Sequence, residues 1–355
     1  MSRHPRPLPL RRPPTVSVII PCYNYGHYLE GAVNSALDQA GVEVDVIVID
    51  DASPDGSGDV AADLADRDPR VRAVRHVHNQ GHIATYNEGL AMVESDYVVL
   101  LSADDLLVPD ALARATALME AHPSVGFVYG HPLAFTDRAP DPKLDVRGWT
   151  IWSGHEWMEG RSRRGRNCIF CPEVVMRNSV QQTIGGYDPT QPHSGDFEMW
   201  LRASAVADVG RINGASQAYY RIHSDSMQRT VNAGHLTDLE GRRAAFASVL
   251  NSSERPVPRG PALYTQACRA LAIDALRRAL ADHDNGCSEP DGVKDLMAFA
   301  RRVWPYAPSL REWKALQRRI RRPAAAPVPV SVACSRVARD LNGRVRWRRW
   351  RWSGV

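Results

Sequence analysis

Two clusters of acidic and polar side chains stand directly after short apolar runs: Asp50 and Asp51 after Val44–Ile49, and Ser102, Asp104 and Asp105 after Tyr97–Leu101. Apolar runs of that length read as strands buried on both faces, and in an open parallel sheet such strands present ligand groups at their carboxyl ends. Both clusters are therefore expected to face one crevice. Carboxylates gathered there suit a hard divalent cation, which takes oxygen ligands and shares them with substrate phosphates. On spacing alone, Asp105 reads equally well as a helix cap and Asp104 as a solvated loop residue.

Further groups offer chemistry, each beside a plainer role. Asp196 opens a helical stretch and suits either a general base or an N-cap. Asn79, Gly81, His82 and Asn87 lie around a helix start, where backbone donors and the positive dipole end favour an anion, although Asn79-Gln-Gly81 also serves as a simple turn. His223 follows a strand and reads, taken alone, as a surface or packed residue. Cys168 and Cys171 form the one close cysteine pair, and with no second pair or HxxxH beside them they read as structural or incidental thiols. Trp149, Trp152 and Trp157 suit stacking on a sugar or packing as a lid.

Alternating elements must position these groups. Strands are expected at Thr15–Pro21, Val44–Ile49, Val71–His76, Tyr97–Leu101 and Val125–Tyr129, with helices at Tyr28–Gln39, Val60–Ala65, His82–Val93 and Pro109–Ala121 between them. That alternation predicts a doubly wound, mostly parallel α/β sheet of the Rossmann-like kind with right-handed crossovers. The segment 131–166, rich in Pro, Asp, Arg and Trp without a clear period, reads as a long, partly exposed connection of the kind that carries binding function. Order resumes with a strand at Glu173–Met176, helices at Ser179–Ile184 and Asp196–Ala205, and an edge strand at Ala218–Ile222. Helices at about 235–251, 261–283, 291–303 and Leu310–Ile320 then predict a small C-terminal helical subdomain. The expected division is an N-terminal arm over 1–14, an α/β domain over 15–230, the helical subdomain over 231–322, and a linker with an Arg/Trp-rich tail over 323–355.

With 355 residues, a net charge of +4, 44% hydrophobic and 24% charged residues, the chain has the composition of an ordinary globular protein. No apolar stretch of about 18 residues is present, and Met1–Pro14 lacks the apolar run of a secretory signal. Six scattered cysteines in a chain of this size fit a reducing compartment, so a cytoplasmic protein is expected.

Several motifs in fixed order resemble the family 2 glycosyltransferases of the GT-A fold. They are Val18-Ile-Ile-Pro-Cys-Tyr-Asn24, Val48-Ile-Asp-Asp-Ala-Ser-Pro-Asp-Gly-Ser57, Asn79-Gln-Gly81 through Asn87-Glu-Gly-Leu90, and Leu101-Ser-Ala-Asp-Asp105, followed by Gly185-Gly-Tyr-Asp188, Gly195-Asp-Phe-Glu-Met-Trp-Leu-Arg202 and Tyr220-Arg-Ile-His223. The resemblance covers roughly Val16–His223. It implies an inverting, metal-dependent enzyme that moves a sugar from a nucleoside diphosphate, UDP by default, to an acceptor hydroxyl in cell-surface glycan or glycoconjugate synthesis. The acceptor would be a carbohydrate, a lipid-linked molecule or a small molecule.

By the same resemblance, Asp51 accepts a hydrogen bond from the base while Tyr23, beside Pro21 and Asn24, offers it a ring face. Asn79, Gly81, Asn87, Ser102, Ala103, Asp104 and Arg221 complete the nucleotide-sugar site. Asp104 with His223 and Asp105 would hold Mn2+ or Mg2+, Asp196 would be the base, and Gly185, Gly186 and Tyr187 would form the acceptor side. The chain departs from the family twice. Ser102 stands where the Asp-x-Asp motif has its first acid, and Gly195 where a glutamate is common. These losses leave open a non-catalytic sugar-nucleotide-binding protein. The run Arg344-Val-Arg-Trp-Arg-Arg-Trp-Arg-Trp352 suits peripheral contact with an anionic membrane face or a solvated tail; it carries no sequence-reading module for a specific nucleic acid.

Overall fold

The computed structural model describes residues 12–223, 234–285 and 290–321, together with Val345. The expected N-terminal arm, apart from its last residues, and the Arg/Trp-rich tail, apart from Val345, lie outside the described residues.

The chain opens with β1 (Thr15–Cys22), α1 (Gly26–Leu37), β2 (Glu43–Asp50), α2 (Ser57–Arg67), β3 (Val71–Arg75), α3 (His82–Ala91) and β4 (Tyr97–Leu100). Val16, Val18, Ile19 and Ile20 of β1 and Val46–Ile49 of β2 have no exposed surface, because β1 is flanked on both edges and helices cover the sheet. α1 lays Leu29, Ala32, Val33 and Ala36 on the sheet, the i, i+3, i+4, i+7 stripe of an amphipathic helix.

Next come β5 (Leu106–Leu107), α4 (Ala111–Ala121), β6 (Val125–Tyr129), β7 (Pro132–Phe135), β8 (Gly148–Trp152) and α5 (Gly154–Arg164). The stretch 131–166 is thus not a bare connection: it contributes two strands and a helix. Trp149 and Trp157 are buried and Trp152 stacks on Tyr129 with ring centroids 6.3 Å apart, so all three tryptophans are packing residues. A 3-10 turn at Cys171–Glu173 leads to β9 (Val175–Arg177), α6 (Asn178–Ile184), α7 (Gly195–Val206), β10 (Asp208–Asn213) and β11 (Ala218–Arg221).

The main sheet has eight strands in the order β3-β2-β1-β4-β9-β6-β10-β8. β1 pairs in parallel with β2 and β4, and β2 with β3, whereas β9 runs antiparallel between β4 and β6, and β8 antiparallel beside β10. Strand order reverses between β1 and β4, and a crevice opens at the carboxyl ends of strands at such a point. A second sheet, β5-β11-β7, has β11 at its centre, so Ala218–Arg221 is not the edge strand expected from sequence. Two short partners contribute few side chains to a sequence pattern, and β11 is paired on both sides through them.

The remaining helices are α8 (His235–Leu250), α9 (Gly260–Asn285), α10 (Pro290–Val303) and α11 (Arg311–Ile320). Two compact units emerge. One holds described residues 12–157 and 168–223, the other 158–167, 234–285 and 290–321. Within the second, α9 supplies Leu263, Leu271, Leu276 and Leu280 to a core, and Arg242 of α8 is buried between the carboxylates of Asp238 and Asp274, each 2.9 Å away. No described helix is long and apolar enough to cross a membrane.

Candidate active site

The parallel directions of β1, β2 and β4 put Tyr23 and Asn24, Asp51, and Ser102–Asp105 at one end of the sheet, around the reversal of strand order. Pro21, the penultimate residue of β1, is partly buried, and Tyr23 is 47% exposed, with its ring open to solvent. Asn24 adopts a left-handed conformation (φ 62°) and donates its N–H to Ser53 Oγ at 3.0 Å. Asp51 is nearly enclosed. Its Oδ1 accepts from the Gln80 N–H and meets His76 Nδ1, both at 2.7 Å, and its Oδ2 accepts from the Gly81 N–H at 2.9 Å. Burial opposes its charge, but the hydrogen bonds from Gln80, His76 and Gly81 outweigh it and lower its pKa. Asn79 adds a bond from Nδ2 to the Asp51 carbonyl at 3.2 Å. Asp51 therefore anchors the 79–81 loop with both carboxylate oxygens.

The second sheet explains how a histidine 119 positions downstream reaches Asp104. β11 pairs antiparallel with β5, Tyr219 opposite Leu106, which carries the chain after β11 back past Asp105 and Asp104. His223 Nε2 lies 2.9 Å from Asp104 Oδ2. Arg221 stacks its guanidinium 4.4 Å from the ring centres of both Tyr28 and Phe135 and donates Nε–H to the Asp104 carbonyl at 2.9 Å, so it braces the acidic loop. Asp105, expected as a further metal ligand, is 1% exposed and accepts the Arg221 backbone N–H at 2.8 Å. Burial, with the charge of Asp104 beside it, drives its pKa well above the usual carboxylate range. In this arrangement Asp105 ties the acidic loop to the backbone of β11.

Among the described residues no group of three or more His, Cys, Asp and Glu side chains forms a metal cage. Asp104 and His223 nevertheless fit a divalent cation as a pair, because Mg2+ or Mn2+ in phosphate-handling sites is held by one or two protein groups and completed by phosphate oxygens and water.

A third group surrounds Asp196. The Tyr187 hydroxyl donates to Asp196 Oδ1 at 2.6 Å, and the Cys171 thiol bonds to both. Tyr187 stacks on Tyr86 of α3, centroids 5.2 Å apart, and Tyr86 shares a hydrogen bond with Ser102. The charges of both Asp104 and Asp196 act on Tyr86, which places the two carboxylates around one aromatic pair; Ala103 between Ser102 and Asp104 is buried. Burial raises the pKa of Asp196, while the bonds from Tyr187 and Cys171 and the charge of His82 only partly offset it.

Asn87 stitches this group to α3. Its Nδ2 donates to the Tyr187 carbonyl at 3.0 Å and its Oδ1 accepts the Tyr187 N–H at 2.7 Å. The approach is so close that a Cβ on Gly186 would stand 2.3 Å from Asn87 Oδ1. Gly185 ends α6 at φ 80°. At Gly195 a Cβ would stand 2.8 Å from the Tyr187 ring, so the aromatic ring fills the space that a side chain there would need.

The sequence-predicted residues thus fall into three neighbouring groups: Tyr23, Asn24, Asp51, Asn79 and Gly81; Asp104, Arg221 and His223; and Ser102, Asn87, Gly185, Gly186, Tyr187 and Asp196. His76, Tyr86 and Glu88 escaped the sequence reading, and Cys171 was set aside. Only the position of His76 between a strand end and the Asn79-Gln-Gly81 loop hinted at a role.

Residues 17–177 match the glycosyl transferase family 2 model. The chain is 28% identical over 227 residues to an uncharacterized glycosyltransferase of Nostoc sp., covering 59% of this chain and 65% of that one. It is 26% identical over 219 residues to hyaluronan synthase of Pasteurella multocida, covering 61% of this chain but 21% of the synthase. The chain therefore spans under two thirds of these relatives. The structure of S. aureus TarS 1–349 in complex with UDP-GlcNAc has a TM-score of 0.62 at 15% identity, over 86% of this chain and 91% of that one. The mannosyltransferase PcManGT from Pyrobaculum calidifontis, in complex with GDP-Man and Mn2+, has a TM-score of 0.54 at 19% identity, over 90% and 88%. These neighbours share the GT-A fold expected from sequence. With its motifs in order and its fold matched, the chain carries a glycosyl transferase family 2 domain over residues 17–177.

Proposed function

We propose that the protein is an inverting glycosyltransferase that moves a sugar from a nucleoside diphosphate to an acceptor hydroxyl, with the chemistry carried by residues 15–230. The observation that carries this reading is the gathering of Asp104 and Asp196 around Tyr86 at the carboxyl end of the sheet. Asp196 takes the acceptor proton as the acceptor oxygen bonds to the anomeric carbon and the diphosphate departs from the opposite face. Its raised pKa moves its proton affinity toward neutral pH, where a general base is most effective. Tyr187 and Cys171 aim the carboxylate. Asp104 and His223 are the residues that would hold Mn2+ or Mg2+. Such a cation neutralises charge on the leaving diphosphate.

The nucleoside would lie between the open ring of Tyr23 and the loop that Asp51 anchors. UDP is the default donor nucleotide; TarS with UDP-GlcNAc and PcManGT with GDP-Man support the donor class. Relatives that include hyaluronan and chondroitin synthases support an acceptor in glycan synthesis. Isothermal titration of purified protein with UDP-, GDP- and dTDP-sugars, with Mn2+ and with EDTA, tests the reading. At least one donor is expected to bind with metal and about tenfold or more weakly without it. Equal affinity under both conditions would remove the metal from the proposal, and no binding at all would remove the donor.

A further inference from the structure

We propose that His76 is a positioning residue for donor binding: its ring, protonated on both nitrogens, ties the end of β2 to α3 and so holds the 79–81 loop in place for the nucleotide. This rests on the donor site proposed above. His76 follows β3, and its backbone N–H donates to the Asp50 carbonyl at 2.9 Å. Its Nδ1 lies 2.7 Å from Asp51 Oδ1 and its Nε2 lies 2.7 Å from Glu88 Oε2 on α3.

Ionised carboxylates only accept hydrogen bonds, and a neutral imidazole has one N–H to offer. Two carboxylate contacts of this length therefore call for the imidazolium. The side chain of His76 is 4% exposed and that of Glu88 is 39% exposed, so the carboxylate reaches water while the ring is enclosed. Downstream of the ring, the same Asp51 carboxylate receives the Gln80 and Gly81 N–H groups. Loss of the imidazolium would free Glu88 and loosen the carboxylate on which the loop hangs.

The charged groups around the ring are few. Asp51 faces it from the end of β2 and Glu88 from α3. The neighbouring Arg75 turns to Asp59 of α2 at 2.8 Å and lies 3.8 Å from Asp50, while His78 and His82 stand in the loop and at the start of α3. Burial works against the charge on His76, yet the bonds to Asp51 and Glu88 outweigh it and raise its pKa above the usual value near 6.5. A raised histidine pKa means that the clamp is complete below about pH 6.5 and is lost as pH climbs through the raised value.

The test is donor affinity against pH, with UDP-N-acetylglucosamine as probe, or GDP-mannose where that binds more tightly, for the parent protein, His76→Gln and Glu88→Gln. The parent should weaken about tenfold from pH 6.5 to the alkaline side, the factor that one hydrogen bond to a charged group supplies. His76→Gln should start about tenfold weaker at pH 6.5 and stay flat, and Glu88→Gln should move the midpoint to lower pH. Parallel profiles for the parent and His76→Gln, or an unmoved midpoint in Glu88→Gln, would overturn the proposal. Should His76→Gln not fold, Glu88→Gln decides alone. If neither sugar nucleotide binds the parent at any pH, the donor reading fails. Amide exchange at Gln80 and Gly81 then decides the clamp: faster exchange in Glu88→Gln supports it, and unchanged exchange ends it.

Discussion

At the scale of single residues, the chain's two departures from its family are both met by tyrosines. Gly195 leaves the space into which the Tyr187 ring fits, and that ring delivers a hydroxyl 2.6 Å from Asp196. Ser102, in place of an acid, bonds to Tyr86, on which Tyr187 stacks. The Tyr187 hydroxyl thus orients the carboxylate proposed as the base. Because the Tyr187 bond lowers the pKa of Asp196, Tyr187→Phe should raise it. A base must be ionised, so the acid limb of the pH–rate profile should move upward by about one unit, the worth of one hydrogen bond. An unmoved limb would separate Tyr187 from the base.

At the scale of elements, α3 and β11 are the organisers. α3 sends Glu88 to His76, Asn87 to the backbone of Tyr187 and Tyr86 to Ser102, and β11 returns His223 to Asp104. Gly186→Ala tests the first: the new methyl would displace Asn87 and leave the Tyr187 N–H and carbonyl without partners, at a cost of about 1–3 kcal/mol in chemical denaturation. A loss below about 0.5 kcal/mol would mean that the loop absorbs the methyl elsewhere.

The sequence made one half of this legible. Uninterrupted β-branched runs at β1, β2 and β4, each closed by polar residues, located the crevice, and the motif order supplied the family. β8 and β10 were missed. β10 reads Asp208-Val-Gly-Arg-Ile-Asn213 and hides Arg211, 1% exposed, inside the fold, so its composition argues against a buried strand. α5 carries three arginines in its last turn and no regular apolar spacing. The His76, Tyr86 and Glu88 contacts were invisible for another reason: each joins elements whose neighbourhood depends on sheet order, and residue spacing along a chain does not encode that order.

At the scale of the molecule, the described residues form two units, and the family match falls in the first except for residues 158–167. Its stability should depend on pH through Glu173, 2% exposed beneath the site, which accepts N–H groups from Phe170 at 3.0 Å and Gly130 at 3.2 Å. Burial pushes its pKa up to about 8, with those bonds and the Arg211 charge only partly opposing. An unfolded chain releases this proton near pH 4.5 while the folded chain keeps it, so the carboxyl costs stability as pH rises from about 4.5 to 8. Glu173→Gln gives up one accepted bond but should flatten that decline in thermal melts. An equally steep decline would assign it to other groups.

Asp196 remains the hinge of the whole account, and its charge is the thing to remove. Sugar-transfer rate and donor affinity should be measured side by side for the parent and Asp196→Asn, with the metal and donor that bind best. The variant should hold the donor within about twofold of the parent and transfer sugar at least 100-fold more slowly, the lower bound for loss of a general base. Transfer at an undiminished rate, or donor affinity lost in step with transfer, would contradict it.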